Sequence, residues 1–244
     1  MKTQMLNYLK KSILNQKRAW ILFLIPLSFS CLDMDQENVE NTPTAYVSFF
    51  NGTSADNAIK IEVDSRVYDR KSFDFGQYID YWYFYTGERD FSFKDPVSQQ
   101  SYLDTTVNLE IEKVYSFFMT EDDSQLKTIF AEDNLETPEE GKALLRLVHL
   151  SSDSPEVNIY QRDKNDPVIS DQSFLEITDF VSVDVGETDL ILKSKGQNSE
   201  LARINDITLR EGRIYSLIIR GKMQAEGNSA DALRLQLIRN YPNY

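Results

Sequence analysis

Cysteine and histidine each occur once in the 244 residues, and glycine only nine times. A lone cysteine forms no intramolecular disulfide, so folding has to rest on hydrophobic cores. A lone histidine, His149, excludes metal sites built on clustered imidazoles, and no glycine-rich phosphate loop is present. Positive charge is scarce as well, with 26 Lys+Arg against 39 Asp+Glu and a net charge of −13. Nucleic acids and anionic membrane surfaces are recognised through basic patches, so neither is expected as a direct partner. Helical periodicity is missing except for a weak trace at Thr137–Lys142, which reads better as a loop. No apolar run reaches the ~18 residues that span a bilayer.

The one apolar stretch, Ala19 to Ser30, has the length of an export-signal core. It follows Lys2, Lys10, Lys11, Lys17 and Arg18 with no acidic residue between them, and it ends at Ser28-Phe29-Ser30-Cys31. That order of charge, hydrophobic core and small residues reads as a signal peptide over residues 1–30. A cysteine directly after it resembles a bacterial lipobox, although Leu27 stands one position too early for the usual pattern. Relaxed boxes of this kind resemble those of Bacteroidota lipoproteins. Cys31 is therefore expected to be lipidated, with the protein held to the outer membrane or its surface by lipid alone. Loss of residues 1–30 would lower Lys+Arg from 26 to 21 and move the net charge to −18. Residues 31–43 are polar, acidic and aperiodic, the composition of a flexible tether.

Beyond the tether the chain repeats itself. Ala45-Tyr-Val-Ser-Phe-Phe-Asn-Gly-Thr-Ser54 lies against Ala143-Leu-Leu-Arg-Leu-Val-His-Leu-Ser-Ser152 without a gap. Gly87-Glu-Arg-Asp-Phe-Ser-Phe-Lys94 matches Gly186-Glu-Thr-Asp-Leu-Ile-Leu-Lys193, and Val114-Tyr-Ser-Phe117 matches Ile214-Tyr-Ser-Leu217. The offset drifts only from 98 to 100 across these blocks, which marks a duplication. Within each copy, Val47 and Phe49, Leu145 and Leu147, and Phe91 and Phe93 alternate with their neighbours at the period of a half-buried strand. Gly87, Gly186 and Gly212 are expected at turns. The fold class is therefore all-β: two tandem β-sandwiches, immunoglobulin-like or transthyretin-like, over residues 44–135 and 142–244.

The opening of the second copy carries a recognisable pattern in Arg146, His149, Ser151 or Ser152, Asp153, Pro155, Val157 and Tyr160. It resembles the exported β-domains of domain-of-unknown-function family 4397. Copy one departs from the pattern, with Ser48, Asn51 and Asn57 at the places of Arg146, His149 and Pro155. The resemblance implies export and a β-fold and brings no activity with it.

Catalytic chemistry is thin. Ser151, Ser152 and Asp153 follow His149 closely, but Ser, Asp and Pro at a strand end are the residues of a capped turn. Asp122-Asp123 and Glu139-Glu140 lack the alternating oxygen spacing of a calcium loop. No catalytic residue, metal site or cofactor is assigned. The unusual segment is Tyr81-Trp-Tyr-Phe-Tyr85. Against copy two, Trp82 and Phe84 fall on Val181 and Val183 and should point inward. Tyr81, Tyr83 and Tyr85 fall on Phe180, Ser182 and Asp184 and should face outward, either as a binding platform or beneath the second domain. Asp104-Thr105-Thr106 resembles an O-glycosylation site of exported proteins, expected in a loop with Thr105 as the acceptor. The functional expectation is a non-enzymatic surface lipoprotein that binds a protein or glycan. The alternatives are a structural spacer and an exported hydrolase.

Overall fold

The computed structural model describes residues 42–68, 71–197, 199–227 and 229–240, and Cys31 with most of the tether lies outside them. Among the described residues every regular element is a strand. The first copy contains β1 (Thr44–Asn51), β2 (Lys60–Val63), β3 (Arg66–Val67), β4 (Tyr78–Tyr85), β5 (Gly87–Lys94), β6 (Ser101–Leu109), β7 (Val114–Asp122) and β8 (Gln125–Glu132). The second repeats the set as β9 (Lys142–His149), β10 (Val157–Gln161), β11 (Ile169–Gln172), β12 (Val181–Asp184), β13 (Gly186–Ser194), β14 (Glu200–Leu209), β15 (Ile214–Arg220) and β16 (Arg234–Asn240).

Each copy is a sandwich of two four-stranded sheets. In copy one the orders are β4-β1-β7-β8 and β3-β2-β5-β6, and copy two has β12-β9-β15-β16 and β11-β10-β13-β14. The first strand of each copy runs parallel to the seventh, β1 with β7 and β9 with β15. An immunoglobulin domain pairs its first strand with its second. Here the first strand sits between the fourth and the seventh, which selects the transthyretin-like alternative. Phe49, Phe91, Phe93 and Phe117 fill the first core, and Leu147, Leu190, Leu192 and Leu217 the second.

Gly87 and Gly186 do not sit in hairpins. A single residue, Thr86 or Val185, separates an edge strand of one sheet from a strand of the other, so each glycine marks a corner between sheets. Their φ values of 96° and 113° are open to glycine and costly for other residues.

The alternation expected of half-buried strands gives way at the centre. β1, β7, β9 and β15 are buried on both faces because the two sandwiches pack together through them. Phe50 and Phe118 of copy one meet Val148, Leu150, Ile218 and Ile238 of copy two in a third apolar cluster. Strands covered on both sides read as nearly continuous apolar runs, which accounts for Phe49-Phe50, Phe117-Phe118-Met119 and Leu217-Ile218-Ile219. Each such side chain contributes about 1.5–3 kcal/mol relative to exposure, so the interface is comparable with a small core.

Arg146 crosses this interface. It is 2% exposed, and its Nη1 lies 2.5 Å from Asp133 Oδ1 in the segment joining the copies. Its Nε donates to Ser216 Oγ at 2.8 Å, and its guanidinium lies between the rings of Phe118 and Phe180. Asp133 Oδ2 accepts from Tyr81 and Ser116, and Asn240 Nδ2 donates to Tyr81 Oη at 2.8 Å. Ser48, the copy-one counterpart of Arg146, bonds Ser116 at 2.7 Å. A second arginine there would place two guanidiniums in one buried site. The Ser48 departure of copy one from the pattern is thus the other half of the interface.

Candidate functional site

A two-residue turn begins the site. Asp64 and Ser65 link β2 to β3 with φ of 50° and 63°, the left-handed pair of a tight hairpin whose twist suits antiparallel strands. Arg89 on β5 holds the turn: its Nη1 lies 3.0 Å from Asp64 Oδ2, and its Nε and Nη2 donate to the carbonyls of Tyr85 and Thr86 at 2.8 Å. The amide of Asp90 donates to Asp64 Oδ1 at 3.1 Å. The turn therefore presents Arg66 from a braced position.

Strand β4 supplies the facing wall. It is an edge strand, so its free side meets solvent. Trp82, Tyr83 and Tyr85 are 57%, 65% and 58% exposed. With Arg66, Tyr68 and Arg89 they line an open cleft of about 540 Å³ between the edges of the two sheets. The Trp82 ring stands edge-on to Tyr68 at 5.5 Å, and Tyr68 continues to Phe84 and Phe49, so Trp82 is anchored to the core.

Three expectations change here. Tyr81 does face outward from its sheet, but the second sandwich covers it, and at 3% exposure it leaves the expected platform. Burial, next to the Asp133 carboxylate, pushes its hydroxyl well above the ordinary tyrosine range and keeps it a donor. Trp82 points toward the inner side as expected, yet it sits where the sandwich edge is open and joins the exposed group. The third concerns Asp104-Thr105-Thr106, which lies within edge strand β6 and not in a loop. Thr105 is paired with Phe91 and half-buried, while Thr106 Oγ1 donates to Asp90 at 2.6 Å. Arg66, Tyr68 and Arg89 were missed, because residues separated by the chain meet at an edge that only the fold defines.

His149 is fully buried. Its Nδ1 accepts from the Ser151 amide at 3.3 Å, which puts the ring proton on Nε2, 2.9 Å from Ser154 Oγ. A hydrolase base needs the reverse arrangement, with Nε2 free to take the serine proton. The Ser151 hydroxyl bonds Asp153 and not the ring. In copy one Asn51 occupies the same place, binding the Phe73 carbonyl at 2.7 Å and the Thr53 amide at 3.0 Å. Both side chains tie down the segment after the first strand. Among the described residues no group of three or more His, Cys, Asp or Glu is placed to hold a metal.

The family model described as "Domain of unknown function (DUF4397)" matches residues 45–160. The match covers copy one, which departs more from the sequence pattern, and ends at Tyr160 of copy two. No curated protein matches the chain. Two solved structures can be superposed on most of it. A family 26 carbohydrate-binding module of Eubacterium rectale Amy13K with maltoheptaose is 11% identical, with 82% of this chain and 98% of that one covered and a TM-score of 0.26. A family 41 carbohydrate-binding module of streptococcal virulence factors is 11% identical, with 78% and 96% covered and a TM-score of 0.23. Scores this low do not establish a common fold.

Proposed function

We propose that this chain is a non-enzymatic binding protein of the cell envelope, held there by lipid on Cys31, whose first sandwich takes a glycan in the cleft beside β4. The observation that carries the reading is the group Trp82, Tyr83 and Tyr85, each more than half exposed on one edge strand, with Trp82 backed by Tyr68 and the core aromatics behind it. Rigid aromatic rings with a polar tip suit ligands that are apolar on one face and hydroxylated at the rim, as sugar rings are. Concave sites lined by aromatics with a few fixed polar groups are the usual form of a small-ligand pocket. A spacer needs none of this, and folding does not either, since copy two closes its core with Val181 and Val183 at the places of Trp82 and Phe84.

Only Trp20 and Trp82 occur in the chain. In a Trp20→Phe background, tryptophan emission therefore reports on the cleft alone. Titration with a panel of glycan oligomers is expected to shift or quench that emission saturably, and Tyr83→Ala is expected to weaken binding at least tenfold, as central aromatic anchors do. A flat response across the panel would return the protein to the spacer alternative.

A further inference from the structure

The duplication supplies an internal reference for the cleft. Arg66 closes the two-residue turn after β2, paired with Val63. Its copy-two counterpart, Lys164, closes the turn after β10, with its amide donating to the Gln161 carbonyl at 3.1 Å. Tyr85 pairs with Thr44 at the end of β4, and Asp184 pairs with Lys142 at the end of β12, so these too are counterparts. In copy two the cation and the strand end meet: Lys164 Nζ lies 2.6 Å from Asp184 Oδ2. Copy one keeps the cation and replaces the carboxylate with a tyrosine.

Arg66 consequently has no ion pair or side-chain hydrogen bond among the described residues, in a chain with 39 acidic side chains against 26 basic ones. Among the described residues, the nearby carboxylates are engaged elsewhere. Asp64 is committed to Arg89 and to the Asp90 amide, and Glu62 lies with Lys60 and Lys94. A guanidinium beside exposed rings, at a place where the sister domain holds an internal carboxylate, matches a ligand that brings its own. Planar guanidinium groups bind carboxylates in two-point fashion with short, charge-assisted bonds.

We infer that the ligand of the cleft is an acidic glycan whose carboxylate takes the position beside Arg66 that Asp184 occupies beside Lys164. The inference rests on the glycan reading above. The stacking rings would hold the sugar face, and Arg66 would select uronic-acid-type sugars over neutral ones.

The test titrates the full-length Trp20→Phe protein with trigalacturonate and with neutral galactotriose, following Trp82 emission at low and at high salt. Trigalacturonate is expected to bind at least tenfold more tightly, with the preference shrinking as salt rises. Arg66→Gln should cost about ten- to a hundredfold for the acidic trimer, the scale of one charged hydrogen bond, and so erase its advantage over the neutral one. Tyr85→Asp rebuilds the copy-two pair and should abolish the acidic preference, whereas Tyr85→Asn, which removes the same ring without adding charge, should keep it. Equal binding of both trimers, or an acidic preference that survives Arg66→Gln, overturns the assignment to Arg66 while leaving the glycan reading in place. Binding of neither trimer, in a protein whose emission does respond to another neutral glycan, overturns the acidic ligand alone. No response to any glycan removes both.

Discussion

Replacing Arg146 by Met tests how the two sandwiches are joined. The side chain is 2% exposed, and its partner carboxylate on Asp133 is wholly enclosed. Methionine fills much of the volume and keeps contact with Phe118 and Phe180, so packing changes little. What remains is a buried carboxylate facing Tyr81 and Ser116 without its cation. Removing one partner of a buried pair costs about 3–5 kcal/mol, mainly because the other charge stays desolvated. Against a total stability of roughly 5–15 kcal/mol, that is a large fraction. Urea unfolding followed by far-ultraviolet circular dichroism gives the loss as a fall in midpoint at constant slope. Adding Asp133→Asn to Arg146→Met removes the stranded charge, so the double variant should be more stable than Arg146→Met alone. A single-variant loss under about 1 kcal/mol, the range of an exposed ion pair, would refute the reasoning, as would strict additivity.

Tyr81 and Tyr83 share a strand face but not an environment. Tyr81→Phe should cost about 1–3 kcal/mol by leaving buried partners unsatisfied, whereas Tyr83→Ala should stay within roughly 0.5 kcal/mol of the parent, as thermal unfolding will show. Burial pulls the His149 imidazole down to about 4 from an ordinary 6.5, so its contribution to stability is complete above pH 6.5 and disappears as pH falls to 4. The loss amounts to roughly 3 kcal/mol, and His149→Asn, the copy-one solution, should flatten that part of the profile in urea unfolding across pH. Asp184, held near 2 by Lys142 and Lys164, loses its contribution below that window, between its ordinary 3.8 and 2. Glu112 has a φ of 61° where copy two has Gly212 at 68°, and both amides bond the carbonyl of the first strand residue. Glu112→Gly should therefore raise the urea midpoint by up to about 1 kcal/mol equivalent, and a drop would show that the glutamate side chain matters. Cys31 is expected to be the acylated N-terminus of the mature protein; intact mass should show lipid in place of residues 1–30, and Cys31→Ser should release the protein from membranes.

Much of the fold was legible because strand formation is local. The period of two in Phe91/Phe93 and Leu190/Leu192 identified β5 and β13, and the copies confirmed one another wherever their apolar positions coincided. Alternation also placed Tyr81, Tyr83 and Tyr85 on one face, as the structure has them. It could not say what lies opposite that face. The second sandwich ends its coverage between Tyr81 and Tyr83, and this boundary depends on Asp133, Arg146 and Asn240, which lie far along the chain. Register alone places Trp82 inward, but exposure at a sandwich edge depends on where the partner sheet stops. The sequence alone therefore determined the core strands that alternate, though not the extent of β6, the duplication, the corners at Gly87 and Gly186 as chain reversals of some kind, and the equivalence of His149 with Asn51. Packing decided the rest: which tyrosines are covered, how β3 and β4 enclose a cleft, and that Arg66 stands without the carboxylate its sister domain provides. Contacts of this kind join residues remote in sequence, and their energies act only once the sheets have met.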